Sequence, residues 1–319
     1  MDGYNVILTM NGEVKGFNEK QRNILTSNIL SKFNLIQFDE MEKEECKEIF
    51  CSLLNENIKE NEYSKNYLKY IDVFIEIHQK MINDMKEKTK SIDPIVTLRN
   101  LKYCCYLSKN NVHQRIAAEI SYTSRFPQNE KKDYDNILDK VGKPKENKEI
   151  KSEIENCIKN NFLFYNDTYK RVIYLALTAL KEGLHPLLVG EKGSGLTTLA
   201  KIIASMISDK GYEFLLCSSE TSVEDLIGCY QPYIKNKEQI EKLSSYIQWC
   251  NGPVIRAGIE GKPLILDNIN YSKAQVIECL NPLIEDNSKY NTIKYNILEK
   301  ENEGPIEIKK GFSIIGTMN

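Results

Sequence analysis

The feature that most constrains this chain is the stretch Gly190-Glu-Lys-Gly-Ser-Gly-Leu-Thr-Thr198, with His185-Pro-Leu-Leu-Val before it. The apolar run ahead of the loop has the length of a buried strand, and Leu196 to Met206 behind it has the apolar spacing of a helix. A strand turning through glycines into a helix belongs to the α/β class, with a parallel sheet flanked by helices. Gly190, Gly193 and Gly195 let successive N–H groups turn inward. With the helix N-terminus behind them they form a nest for an anion. Thr197 keeps the hydroxyl that such loops offer to Mg²⁺, and Ser194 and Thr198 complete the loop. Leu196, however, stands where a phosphate-binding loop requires lysine.

Leucine brings no charge to a terminal phosphate. One lost charge-assisted hydrogen bond costs roughly 1.5–3 kcal/mol, which leaves room for binding and little for phosphoryl transfer. Lys192 is an alternative source of an ammonium group, and a glycine-rich turn holding no ligand is the other reading of the segment.

The second motif is Pro263-Leu-Ile-Leu-Asp-Asn268, an apolar strand ending in an acid. Downstream of a phosphate loop, Asp267 suits the Mg²⁺ shell. Asn268 follows where a hydrolase needs a carboxylate to polarise water, and a neutral amide cannot take that proton.

Strands are expected at Tyr212–Cys217, Pro263–Asp267 and Phe312–Thr317, and a helix at Tyr169–Leu180. Helical spacing also runs through Glu45–Leu54, Tyr67–Met85, Ile95–Leu107 and Val112–Tyr122, which reads as an α-helical bundle. Residues 128–160 are rich in Lys, Glu, Asp and Asn and read as a polar connection with some helix. The segment Asn287–Lys310, with alternating apolar residues, reads as a β-hairpin. One repeat stands out: Gly3-Tyr-Asn-Val-Ile-Leu-Thr-Met-Asn11 matches Gly311-Phe-Ser-Ile-Ile-Gly-Thr-Met-Asn319. Each copy delivers an Asn at the end of an apolar strand.

At 319 residues, 41% hydrophobic and 28% charged, the chain can bury more than one core. A net charge of −2 gives no general attraction to nucleic acid or anionic membrane. Nine cysteines without a C-x-x-C pair are expected to be reduced core residues of an intracellular protein, and no leader or membrane span is expected. His78, His113 and His185 are isolated, so no metal site besides nucleotide-bound Mg²⁺ is expected, and Trp249 is expected in the core.

Beyond the two motifs, Ser222-Val-Glu-Asp-Leu-Ile-Gly-Cys-Tyr-Gln231 resembles a "DLLGGY" segment, and Trp249 to Ala257 resembles a "W-x-x-GPL-x-x-A" helix. Ile265–Asn270 with Leu280–Asp286 is similar to "LDEIN…LN-x-LLED", and Gly311–Asn319 to "F-x-x-FATMN". On these residues, about 165 to 319, the chain resembles the dynein-related, midasin-like branch of the AAA+ ATPases, built of tandem modules. The resemblance implies ATP and Mg²⁺ as cofactors, Gly190 to Thr198 as the nucleotide loop, Thr197 and Asp267 on the metal, and Asn268 and Asn319 at the catalytic positions, Asn319 as sensor 1.

It also implies an organisation. Residues 1–127 correspond to the end of a preceding module, with Asn11 as its sensor and a helical lid containing Arg99 as a second phosphate sensor. Residues 128–160 form the connection, and 161–319 the nucleotide-binding part of the next module. Asn28–Phe33 aligns with the arginine-finger segment, with Leu30 and Lys32 in place of its arginines. The chain is thus expected to be two half-modules, either a fragment of a longer polypeptide or the product of a truncated gene. Its expected partners are neighbouring AAA+ modules and, by the same resemblance, the pre-60S ribosomal particle in the nucleus. Three roles remain: a site that holds ATP without hydrolysing it, a slow ATPase using Lys192, and a nucleotide-free scaffold of another large AAA+ protein.

Overall fold

Four apolar segments run side by side as a parallel sheet, and their order explains where the polar residues gather. The computed structural model describes residues 43–55, 70–87, 96–126, 128–144, 147–160, 167–233, 246–284, 293–297 and 304–319. The Gly3–Asn11 repeat and the Asn28–Phe33 segment, with Leu30 and Lys32, lie outside them. The chain divides into two compact units, Met1–Lys145 and Glu146–Asn319.

In the first unit the described residues are helical: α1 (Lys43–Asn55), α2 (Ile71–Glu87), α3 (Leu98–Lys109), α4 (Gln114–Ser121) and α5 (Gln128–Leu138). Ile71, Phe74, Ile75, Ile77 and Met81 on α2, Leu101 and Leu107 on α3 and Ile116 on α4 are all buried, and α3 packs against both α2 and α4. Thr97 and Asn100 form a capping box at the start of α3. The Asn100 amide also donates to the Ser121 carbonyl at 2.9 Å, tying α3 to the end of α4. Arg115 meets Asp139 at 2.6 Å, Asp135 at 3.4 Å and Glu119 at 3.6 Å.

Residues 128–160, read from composition as a polar connection, contain two helices that belong to different units. Helix α5 lies against α2, where the Tyr134 hydroxyl donates to Asp84 at 2.7 Å and Lys80 to the Asp133 carbonyl at 2.6 Å. Helix α6 (Lys148–Asn160) packs on α7 (Asp167–Lys181), and the Asn147 N–H donates to the Tyr174 hydroxyl at 2.9 Å. Some helix was expected here, but its extent and packing were not, because Tyr134, Ile137, Ile150 and Ile154 supply narrow apolar stripes in otherwise polar runs.

The second unit then runs β1 (Leu187–Val189), α8 (Leu196–Ile207), β2 (Glu213–Leu216), α9 (Val223–Ile227), β3 (Gly228–Tyr233), β4 (Tyr246–Asn251), α10 (Pro253–Glu260), β5 (Pro263–Asp267), α11 (Ala274–Glu278), α12 (Asn281–Ile284), β6 (Ile293–Tyr295), β7 (Ile306–Ile308) and β8 (Ser313–Met318). The sheet order is β1-β8-β5-β2, all parallel, with Val189 opposite Met318 and Leu216 opposite Asp267. Every residue of β5 is buried, as expected of a central parallel strand covered on both faces. Helix α8 packs on β5 and β8 through Leu199, Ala200, Ile203 and Ala204, and α10 packs on β2 and β5. Glu213 on β2 joins Arg256 and Lys262 at 2.8 Å each. Burial alone would raise its pKa, but these two cations outweigh it and hold the carboxyl below the usual range.

Two antiparallel ribbons accompany the sheet. β6 and β7 pair Ile293 with Ile308, within the region expected to be a hairpin. β3 and β4 pair over six residues each and were not foreseen. The segment from Trp249, likened to a helix, begins as strand β4, and the helix starts at Pro253. Gly252 marks the break, since a Cβ there would run into the backbone of Leu226 and Ile227. Trp249 is half-buried, packed against the core and set edge-on to Tyr230 at 5.1 Å. The cysteines also depart from expectation: Cys46, Cys104, Cys105 and Cys217 are buried, but Cys250 is exposed.

Candidate functional site

Three strand ends converge at the C-terminal edge of the sheet, where ligands bind in open α/β folds. β1 leads into Gly190, β5 ends in Asp267 and β8 runs into Asn319. The Gly190 N–H donates to the Met318 carbonyl at 3.2 Å, which anchors the loop's entry beside the end of β8. Gly193 (φ 84°) and Gly195 (φ 77°) take the left-handed conformation, and a Cβ on either would meet nothing within 4 Å, so it is the backbone conformation and not crowding that calls for glycine. Gly195 is the N-cap of α8 and supplies no side-chain hydrogen bond, leaving the first-turn N–H groups to a ligand.

The two residues expected on the metal are brought together. The Thr197 hydroxyl donates to Asp267 Oδ1 at 2.7 Å, and the Thr317 hydroxyl donates to the same oxygen at 2.7 Å. The Thr317 oxygen in turn accepts the Asn268 N–H at 2.9 Å. Asp267 is 5% exposed and Thr317 1%, so the shared oxygen Oδ1 is held in a buried cluster by two hydroxyls. Thr317 went unnoticed in the sequence, where its position two residues before Asn319 carries no sign of its partner.

The catalytic side differs. Asn268 adopts φ 58°, ψ 47°, a left-handed conformation that asparagine tolerates better than most residues. Its side-chain oxygen accepts from the Asn319 amide at 2.6 Å, and the Asn270 amide donates to the Asn319 carbonyl at 3.3 Å. The two asparagines expected at the catalytic positions are therefore bonded to each other.

Leu196 folds back toward the loop's floor. A Cβ on Gly190 would stand 3.4 and 3.7 Å from its two methyls and 3.1 Å from the Ser194 hydroxyl oxygen. That Ser194 oxygen is buried and has no hydrogen-bond partner among the described residues. Lys192 and Thr198 are exposed. Tyr169 of α7, also unforeseen, donates its hydroxyl to the Ser194 carbonyl at 2.7 Å and ties the loop's crest to that helix. Arg99 lies in the first unit, exposed in the first turn of α3.

These residues fit Mg²⁺-ATP on the side of the loop and the metal. The orphaned Ser194 oxygen, the uncapped helix start and the left-handed glycines of the loop suit phosphate oxygens, and Thr197 with Asp267 is a hard-oxygen pair of the kind Mg²⁺ takes. Bound there, Mg²⁺ would offset phosphate charge. Groups of three or more metal-ligating side chains are absent among the described residues, so the pair needs the nucleotide's own oxygens.

Fold and site together define an α/β domain in which a glycine-rich loop and an acid meet at the C-terminal edge of a parallel sheet. Residues 185–319 match the AAA domain of the dynein-related subfamily. The chain is similar to the uncharacterized protein YojN of Bacillus subtilis, 30% identical over 155 residues that cover 49% of this chain and 46% of that protein. It is similar to the uncharacterized protein SH1500 of Staphylococcus haemolyticus, 31% identical over 133 residues, 42% of this chain and 46% of that one. It also matches midasin of Giardia intestinalis, 24% identical over 179 residues, 47% of this chain and 4% of midasin. The chain thus spans about half the length, or far less, of the curated relatives it matches.

Proposed function

We propose that residues 146–319 form a site that holds ATP with Mg²⁺ and does not hydrolyse it, within a midasin-like assembly of tandem AAA+ modules. The observation that carries the reading is the contrast between two halves of one site. Thr197 and Asp267, the hard-oxygen pair suited to Mg²⁺, are already joined, with Thr317 holding the same carboxylate oxygen. Opposite them, Leu196 lies over Gly190 and Asn268 is spent on Asn319. Holding needs only the nest and the metal ligands, whereas hydrolysis needs a cation on the terminal phosphate and a base for water.

Neighbouring modules of the same assembly are the proposed partners. Maturation of the large ribosomal subunit, with the pre-60S particle as client in the nucleus, is the setting that the likeness to midasin suggests. The bacterial relatives come from cells without a nucleus, so the holding role rests on the site and not on that client.

The test is nucleotide occupancy of purified protein with and without Mg²⁺, followed by phosphate release. Retained ATP without release supports the proposal. Mg²⁺-dependent turnover that vanishes in Lys192→Ala would replace it with slow hydrolysis, and a melting temperature indifferent to ATP would replace it with a scaffold role.

A further inference from the structure

The β3–β4 ribbon places two free thiols opposite one another. Cys229 pairs with Cys250 in the antiparallel register, between Gly228–Asn251 on one side and Tyr230–Trp249 on the other. The Gly252 N–H donates to the Ile227 carbonyl at 2.8 Å, which makes Ile227–Gly252 a hydrogen-bonded pair just beyond the ladder. Such pairs recur at every second position, so Cys229–Cys250 is one too, with Cα atoms about 5.5 Å apart. That separation lies inside the span of roughly 4.4–6.8 Å that a disulfide bridges. The Cβ atoms of such a pair stand about 5.5 Å apart against roughly 3.5–4.5 Å in a disulfide, so closing the bond must draw the two strands together locally.

Alternation along the strands sorts the side chains. Tyr230 and Trp249 share one face, with Trp249 against the core, while Cys229, Gln231, Gln248 and Cys250 share the other. On that second face Gln231, Gln248 and Cys250 are exposed and Cys229 is half-buried. The Gln231 amide donates to Cys229 Sγ at 3.5 Å, keeping this sulfur on the thiol face. At the ribbon's base Gly228 and Gly252 leave no room for a Cβ against the facing backbone, so the register cannot slip without a clash.

We infer that Cys229 and Cys250 form an oxidisable thiol pair whose substrate is a small-molecule disulfide, and that oxidation closes a cross-strand bond at the base of the ribbon. The exposed Cys250 thiolate attacks one sulfur of the small disulfide, forming a mixed disulfide and releasing one small thiolate. The Cys229 thiolate then attacks Cys250 Sγ, closing the internal bond and releasing the second. The two cysteines lose two electrons, the small disulfide gains them, and the two cysteine protons end on the released thiols. An exposed bond of this kind is readily reduced again, so the reaction runs in both directions with the surrounding thiol pool.

The full chain, reduced and then titrated with oxidised glutathione, is quenched with a maleimide and mapped by mass spectrometry without reduction. The expected result is a Cys229–Cys250 linked peptide pair and joint loss of maleimide labelling at these two positions, reversed by dithiothreitol. Cys229→Ser is expected to accumulate a stable glutathione adduct on Cys250. A persistent adduct on Cys250 of the unsubstituted chain without the internal link, or a link from Cys250 to another cysteine, would overturn the inference. Phenylarsine oxide, which bridges neighbouring thiols, checks the geometry with no substitution. One equivalent should protect both cysteines from the maleimide, and protection of neither overturns the pairing.

Discussion

His185 shows how much one side chain can carry outside the candidate site. Its Nδ1 accepts the Ile314 N–H at 3.0 Å, so the ring helps place β8, and a protonated ring could not accept that bond. Burial pushes its pKa down to about 4, with the backbone of Leu283 acting in the opposite sense. Between about pH 4 and the ordinary value near 6.5 the unfolded chain takes up the proton and the folded chain does not. Stability from this group is therefore complete above about pH 6.5 and lost as the pH falls toward 4, a change of about 3 kcal/mol. Urea melts across that range should show the slope, and His185→Gln, which keeps an acceptor, should flatten it.

Asp267 works differently, because two hydroxyls share one of its oxygens. Asp267→Ala would strand buried Thr317 and is expected to cost about 1–3 kcal/mol, measured by denaturant midpoint, and to abolish the Mg²⁺ dependence of nucleotide binding. Leu196→Lys is expected to raise ATP affinity by about ten- to a hundredfold, the inverse of the lost charged hydrogen bond, by calorimetric titration. Gly195→Asp should remove binding altogether, since its φ of 77° suits glycine and its carboxylate would stand in the anion nest. Glutamate at position 268 would occupy a left-handed backbone and give up the bond to Asn319, so Asn268→Glu should restore turnover only together with Leu196→Lys.

Among the elements, the β3–β4 ribbon depends on the glycines at its base more than on its strands. Gly252→Ala would press a methyl into the Leu226 and Ile227 backbone, and a loss of about 1–3 kcal/mol is expected in thermal or urea melts. The phosphate loop, by contrast, was legible element by element, because strand, glycines and helix lie next to each other in the chain. Strand β5 and helices α7 and α8 likewise follow their apolar periodicity closely. The ribbon was not legible: its strands are short, and the alternation in Tyr230-Gln-Pro and Gln-Trp-Cys250 becomes a signal only once the register pairs them. Helices α5 and α6 were foreseen only as some helix in a polar connection, because their apolar stripes are narrow and most of their residues are polar or charged.

At the scale of the molecule, each unit has its own apolar core, and residues 146–319 contain every described part of the candidate site. Residues 146–319 expressed alone are expected to melt cooperatively and to retain nucleotide as the full chain does, checked by circular dichroism and calorimetric titration. No described helix is long and apolar enough to cross a membrane. Local order in the chain carried the α/β class, the phosphate loop with its leucine, and the acid at the end of an apolar strand, since each rests on residues within one strand, turn or helix. The pairing of Thr197 and Thr317 on Asp267, the bond between Asn268 and Asn319, the hold of Tyr169 on the loop and the facing of Cys229 and Cys250 came with folding. These contacts join residues from about 20 to 70 positions apart, and a sheet in the order β1-β8-β5-β2 brings together strand ends that no local pattern connects.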